Sequence, residues 1–417
     1  LRLRSIAGGA KYPANALKLE DDAGNLLEVE LDVPPVSRET FDSRLGSLDQ
    51  PLRSGVWRYR ELMPSFPDEA IVSKPEGNTN LYHDQRLGDA AGGIDLWLKH
   101  EGENPTGSFK DRGMTAGISH ACWVGATIVA CASTGNTSAS VASYAAAAGL
   151  PSIVFVPEGK ISAAKLAQTV AYGAHIFQVR GDFDASMEMV RQATDRFGIY
   201  LLNSLNPFRL EGQKSIILEA LQQLRWQVPD WVVLPGGNLG NVSALGKAIR
   251  EALAAGLIDS LPRVAVIQAA GAAPFYNAWR NQFASFEPVQ ADTVASAIRI
   301  GNPVNYAKAK AVLRETEGVV EIVNDQEILE AKARIDKAGI GCEPASAVTL
   351  AGAGKLVRQG VIQPGERVVA VLTGHVMKDA DVVAAYHLSE RPGPMANRPV
   401  VIDATLPSLE RALRDVL

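Results

Sequence analysis

The densest chemical signal in the 417-residue chain is the run Glu103-Asn104-Pro105-Thr106-Gly107-Ser108-Phe109-Lys110-Asp111-Arg112-Gly113. It reads as a polar loop that ends in a lysine where a helix begins. At a helix N-terminus the positive end of the macrodipole disfavours an ammonium and favours the neutral amine, the form that condenses with an aldehyde. Spacing alone leaves the ordinary alternative open, a solvated surface lysine beside Asp111. A second run, Pro235-Gly236-Gly237-Asn238-Leu239-Gly240-Asn241, follows an apolar stretch at 231–234 and opens a helix, so its glycines can bring backbone N–H groups close to a bound anion. It lacks the Lys-Ser/Thr ending of a nucleotide P-loop and is not Gly-x-Gly-x-x-Gly, which argues against nucleoside triphosphates and dinucleotides. The plain alternative is a glycine-capped strand-to-helix turn. A third run, Ser133-Thr134-Gly135-Asn136-Thr137-Ser138, gathers hydroxyls, an amide and free backbone donors, which suits an anionic substrate and equally suits an elaborate N-cap.

These loops need elements to hold them. From about residue 125, apolar runs at 127–132, 152–156, 175–179, 231–234, 264–269, 319–323 and 368–372 alternate with helical patterns at 136–148, 162–171, 184–197, 211–224, 239–255, 325–338 and 345–358. That alternation predicts an α/β chain of parallel strands joined by crossover helices, and the continuous apolar character of the strands predicts burial on both faces. The three loops then fall at or beside the carboxyl ends of strands, where open α/β sheets bind ligands. The first sixty residues differ, with Gly8-Gly9, Pro34-Pro35 and a hairpin-like stretch at 17–33 around Asp22-Ala23-Gly24-Asn25, and read as a small appended subdomain. The tail after Glu390 carries three prolines and then one amphipathic helical pattern at 407–417.

Composition narrows the function classes. With 47% hydrophobic and 21% charged residues the chain can bury the core of two or three domains. A net charge of -5 with the signs interspersed offers no basic face for a phosphate backbone, so nucleic-acid binding is not expected. Apolar runs such as 123–132 are shorter than the roughly 20 residues that span a bilayer, and no signal-peptide pattern follows Leu1-Arg2-Leu3-Arg4. A soluble, cytoplasmic protein is therefore expected. Cys122, Cys131 and Cys342 are spaced as neither a disulfide framework nor a metal pair and are expected to be ordinary buried thiols.

Taken together, Asn104 to Gly113, Ser133 to Ser138, Gly236 to Asn241 and Leu372-Thr373-Gly374-His375 resemble the threonine synthase branch of the type II pyridoxal-phosphate enzymes. The stretches Asn203-Ser204-Leu205-Asn206-Pro207-Phe208-Arg209, Ile298-Arg299-Ile300-Gly301-Asn302-Pro303 and Glu343-Pro344-Ala345-Ser346-Ala347 match as well, in the family's order, over roughly residues 50 to 390. The resemblance implies the tryptophan synthase β-like fold: two open parallel-sheet α/β domains, with 1–60 as an N-terminal arm, 61–115 and 205–390 as a large cofactor-binding domain, 116–204 as a smaller domain and 391–417 as a tail. It implies that Lys110 forms a Schiff base with pyridoxal 5'-phosphate, that Asn136 contacts the ring hydroxyl, and that Gly236, Gly237, Asn238, Leu239 and Gly240 hold the cofactor phosphate. Thr373 would hydrogen-bond the ring nitrogen, and a neutral hydroxyl there tempers the ring's electron-sink character. Ser133, Thr134, Thr137, Ser204 and Arg209 would grip a substrate phosphate, Arg209 supplying the forked, permanently charged donor that phosphate favours.

The implied reaction converts O-phospho-L-homoserine and water to L-threonine and phosphate by γ-elimination and β-addition, in a homodimer. A cysteate-synthase-like enzyme that replaces the phosphate of phosphoserine with sulfite shares the same phosphate ligands, and a catalytically silent relative that binds a phosphorylated metabolite is the non-enzymatic alternative. Two departures from the family stand out. Leu26-Leu27-Glu28-Val29-Glu30 survives without the paired cysteines that precede it in some relatives, so no zinc site is expected there; and Val304-Asn305-Tyr306 follows Gly-Asn-Pro where a small residue and Trp are usual.

Overall fold

The computed structural model describes the 417 residues apart from 159–162, 181–188, 191, 195, 391 and 415–417, and describes no side chains for 163–165. Its strands form three sheets. The first is antiparallel, ordered β2-β1-β3, from β1 (Arg2–Ser5), β2 (Lys11–Pro13) and β3 (Leu27–Glu30). Alternation decides its faces: Leu3 sits opposite Val29 and both are buried, while Arg4 and Glu28 pair on the outer face. The hairpin expected at 17–33 is only partly present. Asp21 Oδ1 accepts from the N–H groups of Ala23 and Asn25 and Glu20 bridges Leu26, but β3 takes β1, not residues 17–20, as its partner.

The second sheet has the order β12-β11-β10-β13-β5-β4, built from β4 (Leu81–His83), β5 (Asp95–His100), β10 (Trp231–Pro235), β11 (Arg263–Ala269), β12 (Val319–Val323) and β13 (Arg367–Leu372). All its pairs are parallel except β4 with β5. The third sheet is wholly parallel, ordered β8-β7-β6-β9, from β6 (Val129–Ala132), β7 (Ser152–Pro157), β8 (His175–Val179) and β9 (Tyr200–Leu201). The expected strands after residue 125 all form. Burial on both faces fails for β8, an edge strand whose His175, Phe177 and Gln178 are exposed while Ile176 and Val179 pack half-buried against the core.

Helices cover the sheets as the alternation requires. The expected helix at 211–224 is two, Pro207–Gln213 and Ser215–Gln223, meeting at Lys214. It starts earlier because the Asn206 side chain accepts from the N–H groups of Phe208 and Arg209 and Pro207 takes the first helical position. Arg209 therefore stands in the first turn of a helix, not on a loop. Of the helix expected at 184–197, residues 184–188, 191 and 195 lie outside the described residues, as does 162 of the helix expected at 162–171, which is observed at Ala163–Ala171. The tail ends in the expected helix, Leu406–Leu413. Cys131 and Cys342 are buried, Cys122 is half-buried, and all are free thiols. No helix among the described residues is long and apolar enough to cross a membrane.

The strand order positions the chemistry. β10, β13 and β5 are consecutive neighbours in the large sheet, and all run the same way. Their carboxyl ends lead, in turn, into the glycine turn, into Thr373 and into the loop that carries Lys110. In the smaller sheet, neighbours β6 and β9 lead into Ser133–Ser138 and into Asn203–Arg209. Five loops from two sheets thus converge on carboxyl ends.

Candidate active site

Lys110 is the first residue of the helix Lys110–Trp123. Its loop is stitched to the end of β13: Phe109 N–H donates to Thr373 O at 3.0 Å and His375 N–H to Gly107 O at 2.9 Å. Gly107 has φ +83, which favours glycine, and a Cβ there would also stand 3.0 Å from Cε of the flexible Lys378 side chain. Asp111 pins the same loop from behind, accepting from Thr106 N–H, Thr106 Oγ1 and Ser140 Oγ, each at 2.6 Å. Burial lifts the Asp111 carboxyl to about 6 against those bonds. Arg112 faces away into a fully buried ion cluster, bonding Glu101 through Nε at 2.6 Å and Glu219 through Nη2 at 2.8 Å. The Asp-Arg pair after the lysine is thus a mounting.

Lys110 is half-buried, its amine 4.0 Å from the centroid of the Phe109 ring. Burial, and next the positive charge of Arg209, push its pKa down to about 7 against the opposing pull of Glu343. Near neutral pH a large fraction is therefore the free amine that an aldehyde needs.

Arg209 reaches the same place along a stripe of small residues. Lys110, Gly113 and Gly117 share a helix face at i, i+3 and i+7, and the helix carrying Arg209 lies in that groove. A Cβ on Gly113 would stand 2.7 Å from Arg209 O, one on Gly117 3.1 Å from Arg209 Cγ, and one on Gly212 1.8 Å from Arg112 O. Arg209 is 1% exposed, donates from Nη1 to Leu202 O at 2.9 Å, and has no carboxylate partner among the described residues. Burial brings its pKa down to about 10, which leaves it charged at neutral pH. A buried cation with no anion beside it is costly unless a ligand supplies the charge.

The glycine turn sits across the same helix. Gly240 approaches Leu210 and Gln213 of the Arg209 helix, and Gly236 packs where a Cβ would meet Val266 Cγ1 at 2.7 Å. Leu239 adopts φ 61, which turns the chain into the helix Gly240–Ala254. The backbone N–H groups of Gly237, Asn238, Leu239 and Gly240 find no acceptor among the described residues. Among the described residues, buried polar atoms without partners include Gln213 Oε1, Asn241 Nδ2 and Asn305 Oδ1, on residues at or against this turn, and Ser108 Oγ and Arg209 Nε, on the lysine loop and the Arg209 helix. Such atoms are rare in protein interiors, and their clustering here fits a site shaped for an anionic, phosphate-bearing molecule.

Two groups at this site escaped the sequence reading. Glu343 joins the sheets: its Oε2 accepts from Asn136 Nδ2 at 2.8 Å and its Oε1 from Thr373 Oγ1 at 3.0 Å, while Thr373 Oγ1 lies 3.0 Å from Ser346 Oγ. Burial holds its carboxyl above the usual range. The only signal in the sequence was an acid directly before Pro344, a helix-start pattern; in the structure Glu343 makes no cap bond to its own helix. Asn305, in the stretch that departs from the family, donates from Nδ2 to Ser204 O at 3.1 Å and from its N–H to Asn238 O at 3.2 Å, linking the glycine turn to the loop after β9. Ser133, Thr134, Thr137 and Ser204 are half-buried; Ser133 Oγ accepts from Gly135 N–H at 3.2 Å.

Residues 72–374 match the model of the family described as pyridoxal-phosphate dependent enzymes. The chain is 44% identical to a threonine synthase of Methanocaldococcus jannaschii over 99% of both chains, and 40% identical to threonine synthase 2, chloroplastic, of Arabidopsis thaliana over 97% of this chain and 82% of that one. It belongs to the threonine synthase family of pyridoxal-phosphate-dependent enzymes. Among solved structures, the threonine synthase of Escherichia coli superposes with a TM-score of 0.73 over the full length of both chains at 20% identity, and maize serine racemase with 0.63 over 87% of this chain and 98% of that one at 19%. Those two likenesses carry the fold: like them, this threonine synthase family member sets its loops on parallel-sheet α/β architecture. Among the described residues no cluster of His, Cys, Asp and Glu is arranged to hold a metal ion.

Proposed function

We propose that the chain converts O-phospho-L-homoserine and water to L-threonine and inorganic phosphate, with pyridoxal 5'-phosphate as cofactor. The observation that carries the substrate class is Arg209, a buried guanidinium with no carboxylate partner among the described residues, beside a lysine whose pKa is brought down to about 7. The names borne by relatives at 40–44% identity support the same reading.

In this reading Lys110 holds the cofactor, the turn Gly236 to Gly240 takes its phosphate on the N–H groups of Gly237 to Gly240, Gly236 N–H being bonded to Ile267 O, and Asn136 and Thr373 face the ring hydroxyl and ring nitrogen. When bound, the cofactor supplies an aldehyde for the substrate's amine and a conjugated ring that accepts the electron pair left by the α-proton. Lys110 Nζ would be the base, holding one proton at a time: it would take the α-proton, pass it on to the bound cofactor and, neutral again, take a β-proton; its pKa of about 7 matches neutral conditions. Arg209 holds the substrate phosphate with Ser133, Thr134, Thr137 and Ser204, and keeps it oriented as it leaves the γ-carbon. The two protons would return one at a time through Lys110 to the γ- and α-carbons, and water would add its hydroxyl at the β-carbon, its proton going to the departed phosphate. Glu343 fixes Asn136 and Thr373 relative to each other through the bonds described above. A homodimer in the cytoplasm completes the reading.

Offering O-phosphohomoserine and O-phosphoserine separately, the latter with and without sulfite, tests it. Threonine and phosphate are expected from the first, with a preference of roughly 10- to 200-fold for the longer substrate, the usual reach of one methylene. Phosphate release from O-phosphoserine and sulfite alone would replace this assignment with the cysteate-forming one.

A further inference from the structure

The N-terminal arm reaches the candidate active site through one buried histidine. His120 lies on the Lys110 helix and is 1% exposed. Its Nε2 stands 2.8 Å from the carbonyl oxygen of Ala14 in the arm, and its Nδ1 stands 2.5 Å from the Tyr200 hydroxyl. Asn206 Nδ2 lies 3.1 Å from that same hydroxyl. Asn206 Oδ1 accepts from the N–H groups of Phe208 at 3.0 Å and Arg209 at 3.4 Å, and the His120 ring stacks on Phe208 with centroids 3.5 Å apart.

The two ends of this chain fix every proton in it. Ala14 O can only accept, so His120 Nε2 carries the hydrogen. Burial keeps the imidazole neutral, its pKa down to about 4, so Nδ1 accepts from Tyr200. The tyrosine oxygen then accepts from Asn206 Nδ2, which leaves the amide oxygen facing the helix N–H groups. No donor meets a donor from Ala14 to Arg209.

We infer that His120 is a positioning residue for phosphate recognition: through Tyr200 and Asn206 it locks the start of the Arg209 helix to the N-terminal arm, an assignment that rests on Arg209 being the substrate-phosphate ligand. Among the described residues the guanidinium itself is tethered only from Nη1 to Leu202 O, with Nε unpartnered. Its orientation must therefore come from the backbone that carries it. A fork aimed in advance loses less freedom when it binds, which is where the gain in affinity arises.

Tyr200→Phe removes the middle of the relay with little change of shape, and His120→Phe removes both ring-nitrogen bonds while keeping a ring against Phe208. For each, steady-state kinetics with O-phosphohomoserine, inhibition by inorganic phosphate, the cofactor's visible absorbance and amide exchange at residues 206–213 are to be measured. KM and the phosphate inhibition constant are expected to rise together by roughly three- to tenfold, the value of one buried hydrogen bond, with kcat within about twofold, absorbance unchanged and faster exchange at Phe208 and Arg209. Unchanged KM and inhibition constant in either folded variant overturn the inference, as does a fall in kcat at constant KM. Arg209→Ala is assayed in parallel. If it weakens phosphate binding while Tyr200→Phe does not, the relay fails and the site stands; if it leaves phosphate binding unchanged, the site reading itself fails. In the Arg209→Ala background, Tyr200→Phe should add no further loss.

Discussion

At position 110 one side chain is a cation in the unfolded chain and divides between ammonium and neutral amine near neutral pH in the folded one. Burial and Arg209 together bring it to about 7. In protein freed of cofactor, the rate at which added pyridoxal phosphate is captured should rise roughly tenfold per pH unit below 7 and flatten above it, because only the unprotonated amine attacks the aldehyde. Stopped-flow absorbance measures this directly. A profile that climbs without a break to pH 10 would mean an ordinary lysine. The lysine was legible because its loop is dense in residues with few structural reasons to be together. Glu343 was not, since a single acid before a proline is common and its partners Asn136 and Thr373 are distant in sequence. Arg209 was found by type but not by setting: only the capped start of its helix explains why it is buried.

Among the elements, the contact that matters most is between the Lys110 helix and the Arg209 helix. Glycines at 113, 117 and 212 let the two backbones touch, and at Gly212 an added Cβ would fall 1.8 Å from Arg112 O. Gly212→Ala must push the helices apart, at a stability cost of roughly 1–3 kcal/mol, and should raise KM for the phosphorylated substrate while the cofactor stays bound. Thermal unfolding and steady-state kinetics check the two parts; an unchanged midpoint and KM would show that this contact gives way freely. Periodicity located the strands buried between neighbours, because their apolar runs are continuous. It missed β5, whose sequence Asp-Leu-Trp-Leu-Lys-His carries charge at both ends. Lys99 there is nevertheless fully buried, because its amine meets Glu219 at 2.6 Å and Thr79 O at 2.7 Å. A partner more than a hundred residues away made a charged strand buriable, and no local pattern encodes that.

Across the whole molecule, Glu219 is the counterpart of that lysine and of much else. It holds Lys99 of β5, Arg112 of the Lys110 helix and Arg58, the last at 3.1 Å, and accepts from the backbone N–H groups of Asn78 and Thr79. Burial works to raise its pKa, but the charges of Arg112 and Lys99 outweigh it and hold the carboxyl well below the usual range. Glu219→Ala would leave buried cations uncompensated and is expected to cost about 3–5 kcal/mol, seen as a lower midpoint in chemical denaturation. A stability loss under 1 kcal/mol would mean that the cluster relaxes around the gap. The sheets behind this node were readable from alternation, but their convergence on one cleft was not, because it depends on strand order, and β13 lies between β10 and β5 although it is the last strand in the chain.

The most direct test is chemical trapping. Protein loaded with pyridoxal phosphate is reduced with borohydride, digested, and the pyridoxyl-bearing peptide sequenced by mass spectrometry. The label should sit on Lys110 alone. A label on neighbouring Lys378 or on any other lysine, with Lys110 unmodified, would contradict the account at its base.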